Sequence, residues 1–191
     1  NNIENVLALR GDINPDVPSQ SDFKYAAELI AFIRSDPEFS DFGISGACYP
    51  EGHPEAESMV SDILNLKKKV DAGAEHLVSQ LFFDNKLFYD FVEKARIAGI
   101  SVPIEAGIMP VVNKKQIEKM VSLCGASLPG KFTKMMHRYE HNPDAMRDAG
   151  IAYAVNQIVD LVSNGVDGIH LYTMNNPYIA RRICESVQSL F

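Results

Sequence analysis

The segment "ACYPEGHPEA" (Ala47–Ala56) crowds Tyr49, Glu51, His53 and Glu55 into one short stretch behind an apolar run. These side chains can stack, exchange hydrogen bonds and carry charge of either sign, whereas turns are usually built from Gly, Asn, Asp and Ser. Pro50 and Pro54 end the preceding strand and stiffen the loop. Asp62, Asn65 and Lys69 follow at i, i+3 and i+7, which puts them on one helical face, with Lys68 alongside. A carboxylate there can hold sugar hydroxyls and an ammonium can pair with a phosphate. The run Lys67-Lys68-Lys69 also reads as a solvated helix face. Arg10-Gly11-Asp12, Gln80 and the stretch Tyr172–Asn176 close three further apolar runs. His137 and His141 have ligand-like spacing, but no third ligand accompanies them and Pro143 breaks the segment, so no metal site is expected.

Five apolar runs must position these groups: Ile3–Gly11, Phe42–Pro50, His76–Asp84, Ser101–Met109 and Gly165–Met174. None alternates cleanly between apolar and polar, so both faces of each strand should be covered, as in a parallel sheet. Helical spacing marks Asp22–Arg34, Glu55–Ala72, Asn85–Ala98, Lys114–Leu123, Phe132–Arg138, Asp144–Ser163 and Pro177–Ser189. Gly73 and Gly99 suit the left-handed cap that ends a helix. Strand and helix in alternation predict an α/β fold with a parallel sheet. "RGDINPD" stands where a dinucleotide fingerprint would follow the first strand. Polar residues gather after every strand end, which favours a (β/α)8 barrel with its site at the C-terminal rim over an open sheet with one switch point. Five strands do not close such a barrel. Residues 1–191 are therefore expected to form a single domain holding the last five βα units, with Val6, Ala8, Ile169 and Leu171 facing the open side.

The chain has 191 residues, 46% of them hydrophobic, and a net charge of −7. That composition fits a globular domain and disfavours nucleic acid as a partner. No apolar run is long enough to span a bilayer, and the opening residues do not read as a signal peptide. Cys48, Cys124 and Cys184 are widely spaced and odd in number, which points to a reducing cytoplasm without a disulfide framework. The chain has no initiator Met and enters a strand almost at once, so a fragment is expected.

"ALRGD", "YPEGHPEA", "DILNLKKKVDAGA", "SQLFFD", "GIMPVVNKKQ" and "HLYTMNN" occur in that order across the chain. This ordered set resembles the methylenetetrahydrofolate reductase family. The resemblance implies a (β/α)8 barrel from about its fourth strand onward. It also implies FAD as cofactor and hydride transfer from NAD(P)H, through the flavin, to 5,10-methylenetetrahydrofolate, giving 5-methyltetrahydrofolate for one-carbon metabolism and methionine biosynthesis. Arg10, Gly11 and Asp12 match flavin contacts, with Asp12 tuning the flavin and touching the folate. Tyr49, His53 and Ala56 match contacts to the ribityl and phosphate portions, and Asp62, Asn65, Lys68 and Lys69 match contacts to the adenosine diphosphate half. Gln80, Gln116, Met120 and Tyr172 match substrate-side positions, Met120 standing where phenylalanine is familiar. Asn176 stands where some members have arginine, so that contact does not carry over. No residue matches the family's proton-donating glutamate, and Glu105, inside the fourth strand, is no substitute for it. The chain alone is therefore expected to be inactive. The alternative is a non-catalytic flavin-binding fragment or an assembly subunit, and both readings leave room for a homo-oligomer or a partner subunit.

Overall fold

The computed structural model of the chain describes residues 3–11, 16 and 22–191, without the side chains of residues 114–116 and 119. Five strands, β1 (Asn5–Ala8), β2 (Gly43–Cys48), β3 (His76–Ser79), β4 (Ile104–Ile108) and β5 (Gly168–Leu171), form one sheet in the order β1-β2-β3-β4-β5. Every pairing is parallel, with Val6 opposite Ile44, Gly46 opposite Leu77, Leu77 opposite Ile104 and Gly107 opposite His170. Helices α1 (Ala26–Ser35), α2 (Met59–Asp71) and α3 (Asn85–Ile97) connect the first four strands. Then α4 (Lys114–Cys124), α5 (Gly130–Tyr139) and α6 (Pro143–Ser163) join β4 to β5, and α7 (Pro177–Val187) closes the chain. These are the five consecutive βα units expected. Among the described residues, β1 and β5 each pair with one strand only.

Local chemistry sets the helix ends. Ser58 accepts from the Ser61 N–H at 3.1 Å while the Ser61 hydroxyl accepts from the Ser58 N–H at 3.0 Å. This reciprocal cap starts α2 at Met59, four residues later than the apolar spacing suggested. Ala56 and Glu55 consequently lie in the turn ahead of the helix. Asn142 and Asn176 cap α6 and α7 ahead of a proline in the first turn. Gly73 and Gly99 end α2 and α3 with φ of +119° and +78°, the left-handed conformation that disfavours a side chain.

Most of the buried apolar area lies between the strands and the outer helices, where Leu77, Phe82, Phe91, Ile104, Ile108, Ile158 and Leu161 are all nearly or fully inaccessible. A second cluster under α4, α5 and α6 holds Leu81, Phe83, Met109 and Phe132, so Phe82 and Phe83 are core rather than stacking platforms. Which way the edge strands face differs from expectation. Val6 and Ala8 pack with Leu29, Ile30, Ile33 and Ile44 under α1, and Ile169 and Leu171 pack against the main core. Leu7 and Leu9, 45% and 49% exposed, take the open side instead. Val6, Leu7, Ala8 and Leu9 are all apolar, so the sequence carries no alternation from which to read the facing.

Candidate functional site at the C-terminal rim

Tyr49 leaves the C-terminal end of β2 and turns the chain toward α2. Its ring meets the His53 imidazole edge-on at 4.6 Å between centroids. The His53 backbone N–H donates to Asp62 Oδ2 at 3.1 Å, tying the loop to the first turn of α2. Two helical turns further along the same face, Lys69 donates from Nζ to the Ala47 carbonyl at 2.8 Å and stands 5.9 Å from the Tyr49 ring centroid. The helical spacing thus brings Asp62 and Lys69 to the strand end that carries Tyr49. Burial pushes the Asp62 carboxyl up and the Lys69 ammonium down from their ordinary pKa values, with their mutual attraction opposing both shifts. Burial also raises Tyr49, and it pushes the Cys48 thiol to about 12, so that cysteine is inert. Asn65 and Lys68 are exposed on the outer part of this face, joined at 2.9 Å.

Arg10 reaches the same loop from the end of β1. Both of its terminal nitrogens donate to the Glu55 carboxylate at 2.8 Å. That pairing raises the arginine and holds the Glu55 carboxyl below its ordinary range. Gly11 follows with φ of +81°, a backbone state that explains the glycine without any contact. Asp12 lies outside the described residues, as does the side chain of Gln116 on α4. Ala56 closes a tight turn by donating to the His53 carbonyl at 2.9 Å.

The positions that the resemblance assigns to the substrate side are more engaged than their types suggest. Gln80 Oε1 accepts from the Leu81 N–H at 2.9 Å, which turns the side chain back on the strand end. Tyr172 donates to the Ser79 carbonyl at 2.9 Å, and burial raises its hydroxyl to about 12. Its ring lies over Gly107, where a Cβ would come within 2.8 Å of it. Met120 packs into the second core cluster. Asn176, where some family members have arginine, caps α7 by accepting from the Ile179 N–H at 3.3 Å. Glu105 faces His76 Nε2 at 3.5 Å and His170 Nδ1 at 3.9 Å.

Sequence reasoning underrated two carboxylates. Glu55 fixes Arg10, and Glu51 accepts the Ser127 N–H at 3.0 and 3.1 Å, fastening the α4–α5 loop to the β2 end. Both link residues too far apart in sequence for any local signal. A groove of about 620 Å³ is lined by α5, α6 and the β3–α3 loop, away from this site. A smaller one of about 110 Å³ touches the rim at Tyr172 and Asn176. Among the described residues no cluster of His, Cys, Asp or Glu is arranged to hold a metal, and no helix is long and apolar enough to cross a membrane.

A family profile described as methylenetetrahydrofolate reductase matches residues 1–188. The chain belongs to that family. A 5,10-methylenetetrahydrofolate reductase from Pectobacterium carotovorum subsp. carotovorum is 36% identical over 97% of this chain and 60% of its own length. Methylenetetrahydrofolate reductase (NADH) 1 of Arabidopsis thaliana is 39% identical over 92% of this chain and 32% of its own. The chain thus spans about 60% of the bacterial reductase and about a third of the plant one. Among solved structures, an uncharacterized protein from Clostridium thermocellum that binds two copies of 5-methyl-5,6,7,8-tetrahydrofolic acid covers 87% of this chain and 59% of its own. Its TM-score is 0.61 at 15% identity, so that likeness bears on the fold: a barrel-like α/β architecture shared with this reductase-family chain.

Proposed function

We propose that the rim formed by Arg10, Tyr49, His53 and α2 binds FAD, and that the protein reduces 5,10-methylenetetrahydrofolate to 5-methyltetrahydrofolate with electrons from NAD(P)H. One observation carries the cofactor assignment. Tyr49, His53, Asp62 and Lys69 converge on one strand end, with a half-buried ammonium already anchored at Ala47 O. The donor set fits a dinucleotide, since cations and N–H donors suit a diphosphate and exposed Asn65 and Lys68 can reach outward to an adenosine. When bound, FAD supplies the hydride relay between the nicotinamide and the methylene carbon of the folate.

The chain's own part is binding and orientation. Lys69 and Arg10 neutralise phosphate charge. His53 donates a hydrogen bond beside them, and Tyr49 gives the loop an aromatic wall. The family resemblance assigns Asp12 to the flavin's pyrimidine edge, and Gln80 offers its amide N–H to the folate or to the nicotinamide. Tyr172 presents its ring rather than its hydroxyl, because that hydroxyl is spent on Ser79. Gln116 and Met120, on α4, are the positions that the family resemblance assigns to the folate side. Titrating FAD into the protein and recording the visible spectrum tests the proposal. The expected result is a saturable one-to-one spectral change, and a spectrum identical to free FAD at every protein concentration would overturn it.

A further inference from the structure

Two of the proposed cofactor contacts come from different strand ends, and both are held by Glu55. Its carboxylate takes the two terminal nitrogens of Arg10 at 2.8 Å each, across a gap of 45 residues. Its backbone N–H donates to His53 Nδ1 at 3.1 Å. An N–H donor at Nδ1 requires that nitrogen to be the acceptor, so in the neutral imidazole the proton sits on Nε2. The His53 backbone N–H is in turn held by Asp62, and the ring lies against Tyr49. The ring is therefore fixed both in place and in tautomer, and among the described residues its Nε2–H has no partner.

The Arg10 fork is used economically. A guanidinium has five N–H donors in a fixed plane, and the bidentate pair with Glu55 employs two of them. Among the described residues the others take no partner, which leaves them for a second anion while the first holds the plane still. Arg10 keeps 28% of its side-chain surface accessible in this arrangement. A free arginine would have to lose side-chain rotamer freedom to meet a phosphate, whereas this one is already ordered.

We propose that Glu55 is the positioning residue of the diphosphate subsite. It touches no ligand itself. Its side chain holds Arg10 for a phosphate oxygen, and its main chain holds His53 as an Nε2–H donor to the same group. The inference rests on the FAD reading above and adds to it the residue that organises the phosphate contacts. The opposite reading gives Glu55 as an internal anion that competes with the ligand for Arg10. The two differ in the sign of one measurement.

Glu55→Gln keeps the side-chain shape and the backbone N–H but removes the charge. FAD, ADP and riboflavin are titrated against the wild type, E55Q, R10M and the E55Q/R10M double variant. We expect E55Q to bind FAD and ADP about tenfold more weakly, the scale of one charge-assisted hydrogen bond. Riboflavin, which lacks the diphosphate, should be unaffected, and E55Q should cost little more once Arg10 is gone. Imidazole ¹⁵N spectra of the unliganded wild type and E55Q should both show the His53 proton on Nε2. Tighter FAD binding by E55Q would establish competition and overturn the proposal. An equal loss for all three ligands would show a merely structural role, and a proton on Nδ1 would remove the His53 half. If the wild type binds riboflavin but neither FAD nor ADP, the diphosphate subsite itself is refuted. Failure to bind any of the three would refute the flavin reading and this one with it.

Discussion

Lys69→Met should separate cofactor binding from folding at the rim. The methionine keeps most of the unbranched stem and deletes the ammonium. In the folded chain that ammonium makes a 2.8 Å hydrogen bond to Ala47 O and lies near the Tyr49 ring. A hydrogen bond from a charged group contributes about 1.5–3 kcal/mol, but burial of the ammonium costs free energy, as the lowered pKa shows. These oppose each other, so net destabilisation should stay within about 1.5 kcal/mol, or roughly 3–6 °C in Tm for a domain of this size. Ligand binding has no such offset. Loss of one charge-assisted phosphate contact should weaken FAD and ADP by about ten- to a hundredfold. Riboflavin should change by less than about twofold. Lys68→Met, at an exposed site tied to Asn65, should cost FAD no more than about threefold and lose its effect in salt. Because burial lowers Lys69, FAD affinity should also begin to fall at lower pH than an ordinary lysine would allow. Calorimetric titration with the three ligands, paired with thermal melts, reads all of this. A folded Lys69→Met protein that binds FAD as tightly as the wild type would return the lysine run to a solvated face.

The buried Cys48 thiol, raised from 9.0 to about 12, should make the protein lose stability in alkali. Above pH 9 the unfolded chain releases this proton while the folded chain keeps it, so stability falls as pH rises from about 9 toward 12. The slope is about 1.4 kcal/mol per pH unit at most, and urea melts of Cys48→Ala should show a flatter pH 9–10 segment than the wild type. Tyr172→Phe should destabilise by about 1–3 kcal/mol, since it leaves the Ser79 carbonyl without its donor. Folate affinity should nevertheless hold within about twofold, whereas Tyr172→Ala should lower both. Denaturant curves and folate titration distinguish the two variants, and a folate defect in Tyr172→Phe would show that the hydroxyl serves the ligand.

The order of elements was legible because each strand is a short apolar run bounded by Gly, Pro or Asp, and the longer helical patterns lie between them. The rim was legible too, since Tyr49, His53 and the α2 face share a local stretch of chain. What escaped is non-local or two-sided. Val6 and Leu7 are both apolar, and only packing under α1 decides which of them is covered. The start of α2 went to Ser58 and Ser61, whose reciprocal hydrogen bonds outweigh the helical spacing that begins at Glu55. Glu51 and Glu55 were assigned no partner because Ser127 and Arg10 lie 76 and 45 residues away. Tyr172 read as a substrate-side tyrosine, but the small neighbour that lets its ring sit over β4 is Gly107, on another strand.

Amide hydrogen exchange with and without saturating FAD tests the central claim most directly. If the C-terminal rim is the cofactor site, protection should appear in the loop from Tyr49 to Ser58 and in the first half of α2, with a smaller effect at Arg10 and Gly11. The groove between α5 and α6 should stay unchanged. Protection confined to that groove, or none at the β2–α2 loop while FAD is demonstrably bound, would contradict the account.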